Sequence, residues 1–425
     1  MPASATSDSS AAFPTGRGLY IILAGLLVAA FAARLGVRVA LGEDAFWTQG
    51  YTSFYRLAER IAATGAFCDG DRCPRPPLYP AFLALTALIA KNYLLIVVPQ
   101  ALIGAGTALM AFLIGRDMFG VRVGLIACAL AAFYPYYVFH DTALQDTTFT
   151  TFTLALSVWL TLRADRRGRT AGWLLAGLAL GATLLTRASL APAVALIVIW
   201  IAVAGAAPVA RDRLRGALTA TLTCFALLSP WLATTALHTG KAALSTDVGY
   251  ELWVGNNPDT FSRFPAESID ASTALARSRF TPEEREALRA SPTNPRAADG
   301  WYGARARDYI LGHPLDFARN AVRKIAIAFS SRITPYRSGP AQWAYAASYL
   351  PVALFGIAGM LITWRRKDTW LVAALFVAFI GVAAVFSAQT SHRAHLDVYW
   401  MVFAAFAIVT AAKRLSGSAP PTLRR

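Results

Sequence analysis

The feature that most constrains this chain is a series of ten apolar stretches, most of them about as long as a membrane-spanning helix, which needs about 20 mostly apolar residues. Hydrophobic residues make up 56% of the 425 residues and charged residues only 15%, whereas soluble domains average about 45–50% and ~25%. So much apolar surface cannot be hidden in one water-soluble core. The sequence therefore predicts an all-α polytopic membrane protein with about ten transmembrane helices, near 18–41, 93–114, 123–140, 147–162, 171–187, 190–206, 217–237, 341–363, 369–388 and 398–412.

The basic residues are distributed as topology signals. The net charge of +16 is concentrated in short loops between the apolar stretches and not in a nucleic-acid-binding patch, and the positive-inside rule assigns such loops to the cytoplasm. We therefore expect a multi-pass protein of a bacterial inner membrane with both termini cytoplasmic, and no nucleic-acid partner. The predicted cytoplasmic segments are 115–122, 163–170, 207–216, 364–368 and the tail with Lys413, Arg414, Arg424 and Arg425.

The shorter apolar stretch from Pro77 to Ala90 is a special case. Counting it as a full span would place the basic 115–122 loop on the outer side and break the charge pattern. At this length a segment is more typical of a re-entrant helix, or of one lodged against the bundle.

Three parts of the chain follow from this topology. Residues 1–237 form an N-terminal transmembrane catalytic module whose first outer loop, 42–76, contains an amphipathic interfacial helix. Residues 238–340 form a small outer (periplasmic) domain, in which Thr281-Pro282-Glu283-Glu284 is typical of a helix start and Asp316–Phe329 predicts a helix leading back to the membrane. Residues 341–425 comprise the last transmembrane helices and the cytoplasmic tail.

The four cysteines divide into two kinds. Cys128 and Cys224 lie in apolar stretches, where we expect buried packing residues. Cys68 and Cys73 enclose a short polar turn in the first outer loop, and there we favour a disulfide. Two free thiols, or half of a metal site, remain as the alternatives.

Four carboxylates at the outer ends of helices are candidates for a catalytic base, because a carboxylate within hydrogen-bond reach can deprotonate a hydroxyl. Glu43 and Asp44 follow the first apolar stretch, and Asp141 and Asp146 flank the short outer loop 141–146. The alternative for the first pair is a solvated interfacial position. The alternative for Asp146 is a cap of the following helix.

Outer arginines are candidates for binding a phosphate, since they run against the positive-inside trend. Arg187 and Arg393 each stand in a predicted outer segment, where a guanidinium can grip a phosphate with two hydrogen bonds; anchoring to lipid headgroups is the alternative. Arg34 and Arg38 lie one turn apart in the first helix, either as an inward-facing positive pair or snorkelling to the surface.

Two histidines beside Arg393 admit two interpretations. His392 and His395 are three residues apart and could ligate a metal. No third ligand is evident, so we favour polar loop residues.

Several short motifs resemble integral-membrane glycosyltransferases of the GT-C fold, in particular the bacterial relatives of the protein O-mannosyltransferases and of the lipid A aminoarabinose transferase. The most telling is Arg75-Pro-Pro-Leu-Tyr-Pro80. The others are Arg34 in the first helix, Tyr55-Arg-Leu-Ala58, Gly65-Ala-Phe67, Phe133-Tyr134-Pro135, Leu185-Thr186-Arg187, Gly255-Asn256-Asn257-Pro258, and Gly312-His313-Pro314 followed by Phe317.

The resemblance implies a polyprenyl-phosphate-linked sugar donor, a carboxylate of the first loop as base, and basic residues for the donor phosphate. The resemblance further implies that Tyr55 and Arg75 bind the substrate. This sequence departs from the pattern at one position: the family acid stands about four residues before Tyr55, where this chain has Tyr51. The nearest acids are Glu43 and Asp44, and Asp146 occupies a region where relatives have a second-loop Glu.

We therefore expect a glycosyltransferase that moves a hexose or pentose to an envelope acceptor on the periplasmic side, with inversion at the sugar. Asp44 is the preferred base and Asp146 the next, and Arg187 and Arg393 stabilise the leaving phosphate. All four are predicted to line one cavity under the 238–340 domain. No cofactor is expected, although a divalent metal is not excluded. The alternatives are a lipid-linked sugar flippase or transporter, and a polymerase or ligase of surface polysaccharide.

Overall fold

The computed structural model describes residues 16–289 and 295–416, and within them every regular element is a helix. Arg424 and Arg425 of the predicted tail lie outside the described residues. The helices are α1 (Arg17–Gln49), α2 (Thr52–Thr64), α3 (Leu78–Ile89), α4 (Tyr93–Phe119), α5 (Val121–Phe133), α6 (Pro135–His140), α7 (Thr147–Arg167), α8 (Thr170–Thr186), α9 (Ala191–Ala204), α10 (Ala210–Thr239), α11 (Val248–Gly255), α12 (Ile269–Ser278), α13 (Pro282–Arg289), α14 (Pro295–Gly312), α15 (Pro314–Ala328), α16 (Pro340–Ile362), α17 (Lys367–Val385), α18 (Thr390–Arg393) and α19 (Asp397–Leu415).

The prediction of an all-α membrane protein is confirmed. In the described part of the chain, six helices are long and apolar enough to cross a membrane: α1, α4, α10, α16, α17 and the segment Thr390–Leu415. The apolar helices α5, α8 and α9 are shorter, so the count of ten spans stays a prediction. The 77–90 segment forms the short helix α3 of 12 residues, which agrees with its exclusion from the spans.

Small residues let the helices of the bundle approach closely. A side-chain carbon on Gly124 of α5 would stand 2.6 Å from the carbonyl oxygen of Phe112 in α4. Gly356 of α16 meets Trp400 of α19 in the same way. Lipid surroundings provide little hydrophobic drive for helix association, and close van der Waals contact at small residues replaces it.

Four basic loops meet at one end of the bundle. Arg166, in the last turn of α7, donates to the carbonyl of Asp117 at 2.6 Å and to the carboxylate of Asp368 at 3.0 Å. The neighbouring Asp165 accepts from the backbone N–H of Ala206 at 2.8 Å. The segments that the charge pattern assigned to one side of the membrane therefore share one end of the structure.

The opposite end is covered by α2 and by the layer α11–α15. Helix α2 buries Phe54, Tyr55 and Ile61, as its amphipathic spacing predicts. The layer has a small aromatic core in which the ring of Trp253 packs 4.8 Å from Tyr302 and 5.5 Å from Phe280, measured between ring centroids. The helix starting after Thr281 and the helix over 316–329 are both confirmed, as α13 and α15.

A buried ion pair fixes the first helix to the bundle. The fully buried Arg34 donates from Nε to Asp141 Oδ2 at 2.8 Å and also to the carbonyls of Ala131 and Ala132 at the end of α5. Gly104 of α4 faces this pair without a side chain, and an added Cβ would lie 2.6 Å from Arg34 Nε. Such a pair is costly to break, because each charge would stay buried without its partner.

We expect Gly104→Ala to lower the stability of the protein by about 3 kcal/mol, since the new methyl group must displace the buried ion pair. Thermal unfolding in detergent measures the loss. Gly36→Ala, in α1, is the matched control, because no atom lies within 4 Å of an added Cβ there. Equal melting temperatures of the Gly104→Ala and wild-type proteins would contradict a structural role of the pair.

Candidate active site

A cavity of about 630 Å³ lies between the layer α11–α15 and the helix bundle. Its polar side chains come from separate parts of the chain: the first loop, the loop before α7, the end of α8, the helices α11 and α12, and the segment after α17. The charged, amide and imidazole side chains among them, together with the Tyr51 hydroxyl, are Tyr51, Arg75, Gln145, Asp146, Arg187, Asp247, Glu251, Asp270, Gln389, His392 and His395.

An ion pair between Arg187 and Asp146 forms one wall of the cavity. Helix α8 ends at Thr186, and Arg187 continues in an extended conformation that turns its side chain towards Asp146, just before α7. Arg187 donates from Nε to Asp146 Oδ2 at 3.0 Å and from Nη2 to Oδ1. A guanidinium has five N–H donors, so this pairing leaves others for a ligand.

The floor of the cavity is apolar. Helix α17 turns Leu375, Phe379 and Val382 towards it, together with Ala378 and Ala383, and Phe386 follows directly after the helix. This spacing of three and four residues defines one face of a helix and extends over about 16 Å at 1.5 Å per residue. The cavity thus joins a charged wall to an apolar stripe along a membrane-spanning helix.

The first loop is attached to the layer next to this cavity. Cys68 and Cys73 form the favoured disulfide. Between them, Arg72 pairs with Asp247 at 2.6 Å, and Cys73 exchanges hydrogen bonds with Thr246. The turn therefore positions both the following Arg75 and the start of α11.

The prediction that Asp44 lines the cavity is wrong. Helix α1 breaks at Gly42, whose φ of 82° is left-handed, and Asp44 follows the break with an exposed side chain. Phe46, two residues later, is buried, and residues two apart point to nearly opposite sides of a helix. Glu43 is also exposed and accepts a hydrogen bond from the Trp47 indole at 3.0 Å.

The prediction that Arg393 lines the cavity is wrong, because its side chain lies inside the bundle. It is fully buried, donates to the Tyr345 hydroxyl at 2.9 Å and to Asp397 at 3.1 Å, and lies 3.8 Å from the centroid of the Tyr349 ring. The sequence shows Arg393 in an outer loop, but cannot show that α18 turns it inward.

Four further predicted residues, Asp141, Arg34, Arg38 and Tyr55, have packing partners away from the cavity. Asp141 pairs with Arg34, and the buried Arg38 donates to Thr142 at 3.2 Å and to the Phe139 carbonyl at 3.1 Å. Tyr55 packs its ring 4.7 Å from Trp47. Of the predicted site residues, the cavity brings together Asp146, Arg187 and Arg75.

Sequence reasoning missed several residues of the cavity, among them Glu251, Asp270 and Gln389. No motif marks them, because the contacts that bring these segments to the cavity are made with distant parts of the chain. His392 and His395, which the sequence predicts to be polar loop residues, both line the cavity. Within the described residues, no group of three or more His, Cys, Asp and Glu side chains is arranged to hold a metal ion.

Residues 74–233 match the family of dolichyl-phosphate-mannose-protein mannosyltransferases. The resemblance to GT-C membrane glycosyltransferases is confirmed. The matched segment contains the Arg75–Pro80 motif and both members of the Arg187–Asp146 pair. A comparison with curated proteins finds no match.

Solved structures with a similar fold include membrane glycosyltransferases. The oligosaccharyltransferase of Archaeoglobus fulgidus in its apo form is 15% identical with a TM-score of 0.54 over 93% of this chain. The same archaeal enzyme, AglB, in complex with an inhibitory peptide and a dolichol-phosphate, is 11% identical with a TM-score of 0.54 over 94%. The chain spans about half the length of these proteins, 51% in each case. ArnT from Cupriavidus metallidurans, bound to undecaprenyl phosphate, is 13% identical, with a TM-score of 0.40 over 95% of this chain and 80% of its own.

We expect the paired Cys68→Ser/Cys73→Ser substitution to lower stability by about 2 kcal/mol, because the disulfide closes a short loop of the unfolded chain. Thermal unfolding with and without reductant measures the effect. Reductant should lower the melting temperature of the wild type and leave the double variant unchanged. Equal alkylation of both cysteines without and with reductant, seen by intact mass, would contradict the disulfide.

Proposed function

We propose that this protein transfers a sugar from a polyprenyl phosphate donor to a hydroxyl of an envelope acceptor. The observation that supports the proposal most is the joining of the Arg187 wall to the apolar stripe of α17 in one cavity. A polyprenyl-phosphate sugar likewise consists of a charged part and an apolar part, namely an anionic head and a long hydrocarbon tail. The dolichol-phosphate in AglB and the undecaprenyl phosphate in ArnT are lipids of this class.

In this proposal Arg187 and Arg75 bind the donor phosphate. Arg187 is held in place by the carboxylate of Asp146, so that its remaining donors need little ordering when the lipid binds. Arg75 is exposed, lies 5.2 Å from the centroid of the Phe54 ring, and lines the same cavity. The donor phosphate is a diester with one negative charge, and the polyprenyl phosphate that leaves is a monoester with more, so both guanidinium groups favour the product side of the transfer. The proposal requires no cofactor.

The reaction is a direct displacement at the sugar. The acceptor oxygen attacks the anomeric carbon as the bond to the phosphate oxygen breaks, and the polyprenyl phosphate leaves with the bonding electrons. Negative charge therefore grows on the phosphate in the transition state, where Arg187 acts most strongly. A single displacement inverts the anomeric centre. The sugar is a hexose or a pentose.

The proposed side of the membrane follows from the charge of the loops. The four basic loops share one end of the bundle, and the positive-inside rule makes that end cytoplasmic. The cavity lies at the other end, under the layer α11–α15. We therefore propose that transfer occurs at the periplasmic face of a bacterial inner membrane.

We expect Arg187→Met to lower kcat/KM for sugar transfer about 100-fold or more, because the developing phosphate charge loses its preorganised donor. Arg187→Lys should recover only part of the loss, since an ammonium lacks the planar fork. The assay incubates the reconstituted protein with polyprenyl phosphates carrying labelled hexoses or pentoses and with an envelope fraction from a deletion strain. A parallel reaction with EDTA measures any contribution of a divalent cation.

Arg319→Met is the matched control for charge removal, because Arg319 is 80% exposed on α15 and lies outside the cavity. Its activity should equal that of the wild type. Full activity of the Arg187→Met protein would contradict the proposed phosphate site.

We expect Asp44→Asn to keep transfer activity within about twofold of the wild type, as is usual for an exposed position away from the site. Asp146→Asn should lose activity, because it removes the charge that positions Arg187. Kinetics of both variants in the same assay separate the two carboxylates. Inactivity of Asp44→Asn, with normal folding and normal binding of undecaprenyl phosphate, would restore Asp44 as the base.

A further inference from the structure

Helix α11 lines one side of the cavity, and contacts with other elements hold both of its ends in place. At its start, Asp247 pairs with Arg72 of the disulfide loop at 2.6 Å. The first N–H groups of the helix, at Gly249 and Tyr250, donate to the Asp299 carboxylate of α14 at 3.1 and 2.8 Å. The first loop and α14 thus fix the beginning of α11.

The end of α11 is fastened to the end of α17. Asn256 donates to the carbonyl of Val385 at 2.6 Å. The buried Lys324 of α15 donates to the carbonyls of Gly255 and Val385 at 3.3 and 3.4 Å. Gly255 packs directly against the backbone of Phe386, so a side chain in the middle of α11 has a fixed position relative to the apolar stripe.

Glu251 is the acidic side chain of α11, and it lines the cavity. Three other carboxylates do so: Asp146, Asp247 and Asp270. Asp146 is paired with Arg187 and Asp247 with Arg72, so the lone pairs of these two are engaged. Among the described residues, neither Glu251 nor Asp270 forms an ion pair within 4.0 Å.

Glu251 is better suited than Asp270 to accept a proton. Both side chains lie in the first turn of their helices, so the helix dipole does not distinguish them. Asp270, however, is exposed to water. Glu251 is half-buried, and a carboxylate held away from water is the stronger base.

We propose that Glu251 is the general base of the transfer reaction, and that α11 supplies the carboxylate which the first loop lacks at Tyr51. This inference rests on the proposed function. The Glu251 carboxylate takes the proton of the acceptor hydroxyl as the acceptor oxygen bonds to the anomeric carbon. The carbon–oxygen bond to the phosphate breaks, and the polyprenyl phosphate leaves as an anion beside Arg187.

The surroundings of Glu251 set the pH dependence. Burial raises its pKa above the ordinary value, the nearby Arg75 and Arg187 lower it, and Asp247 of α11 and Asp270 of α12 raise it further. The net direction is upward. Because the base acts as a carboxylate, kcat/KM should be maximal above this raised pKa and fall as the pH drops through it.

The test compares Glu251→Gln with Glu251→Asp and with the wild type in the transfer assay described above. Glutamine keeps the shape of the side chain but accepts no proton, so we expect kcat/KM to fall about 100-fold or more and the acidic limb of the pH profile to disappear. Aspartate should retain the limb at reduced activity. Binding of undecaprenyl phosphate, followed by thermal shift, should be unchanged in both variants.

Glu267→Gln is the matched control, because Glu267 belongs to the same layer, is 55% exposed and pairs only with Arg263 among the described residues. Wild-type kinetics of Glu251→Gln, with an active wild type, would overturn the role of Glu251 and leave the proposed function intact. A wild type that neither transfers sugar nor binds undecaprenyl phosphate would overturn both.

If the Glu251→Gln protein fails to fold, the pH profile of kcat/KM of the wild-type protein tests the role of Glu251. An acidic limb above the ordinary pKa of a glutamate supports the proposal. A kcat/KM that stays constant between about pH 4.5 and 7 contradicts it, since the base would then carry no raised pKa.

Discussion

The absence of water from a bilayer is the constraint on which the rest of this structure depends. Backbone polar groups must be satisfied within each spanning segment, so the chain crosses as helices. Polar side chains inside the bundle need partners for the same reason, and Arg34 and Arg393 find theirs in Asp141 and Asp397. Charged side chains that are available to bind a ligand are therefore expected at the end of the bundle, where the helices end and the loops meet.

The cavity exists because segments far apart in the chain close around that end. The disulfide turn with Arg72 attaches the first loop to α11, and Lys324 attaches the other end of α11 to α17. Both attachments are held by charges in partly or fully buried places, where an ion pair or a charged hydrogen bond is costly to break. The layer beside the cavity thus has a fixed position, and its acidic side chains line the same cavity as the apolar stripe of α17.

The donor site that we propose depends on the same difference between the bilayer and its surface. In that proposal, the apolar stripe of α17 takes the hydrocarbon tail of the lipid. The charged head group lies at the end of the bundle, where Arg187 and Arg75 line the cavity, because a charge is costly at bilayer depth.

The sequence by itself determined the class of the fold, the common end of the basic loops, the amphipathic helix α2, the disulfide and the Arg187–Asp146 region. These follow from hydropathy, local periodicity and short spacing, which act over a few residues. Only the tertiary structure decided which outer charges reach the cavity. Arg187 and Arg393 look alike in sequence, but packing turns the second into the bundle towards Asp397. Asp44 and Glu251 differ in the opposite way: the break at Gly42 and the buried Phe46 direct the first outward. The second is held at the cavity because α11 contacts Arg72, Asp299 and Lys324, which are far apart in the chain. Side-chain direction depends on these distant contacts, and no local pattern encodes them.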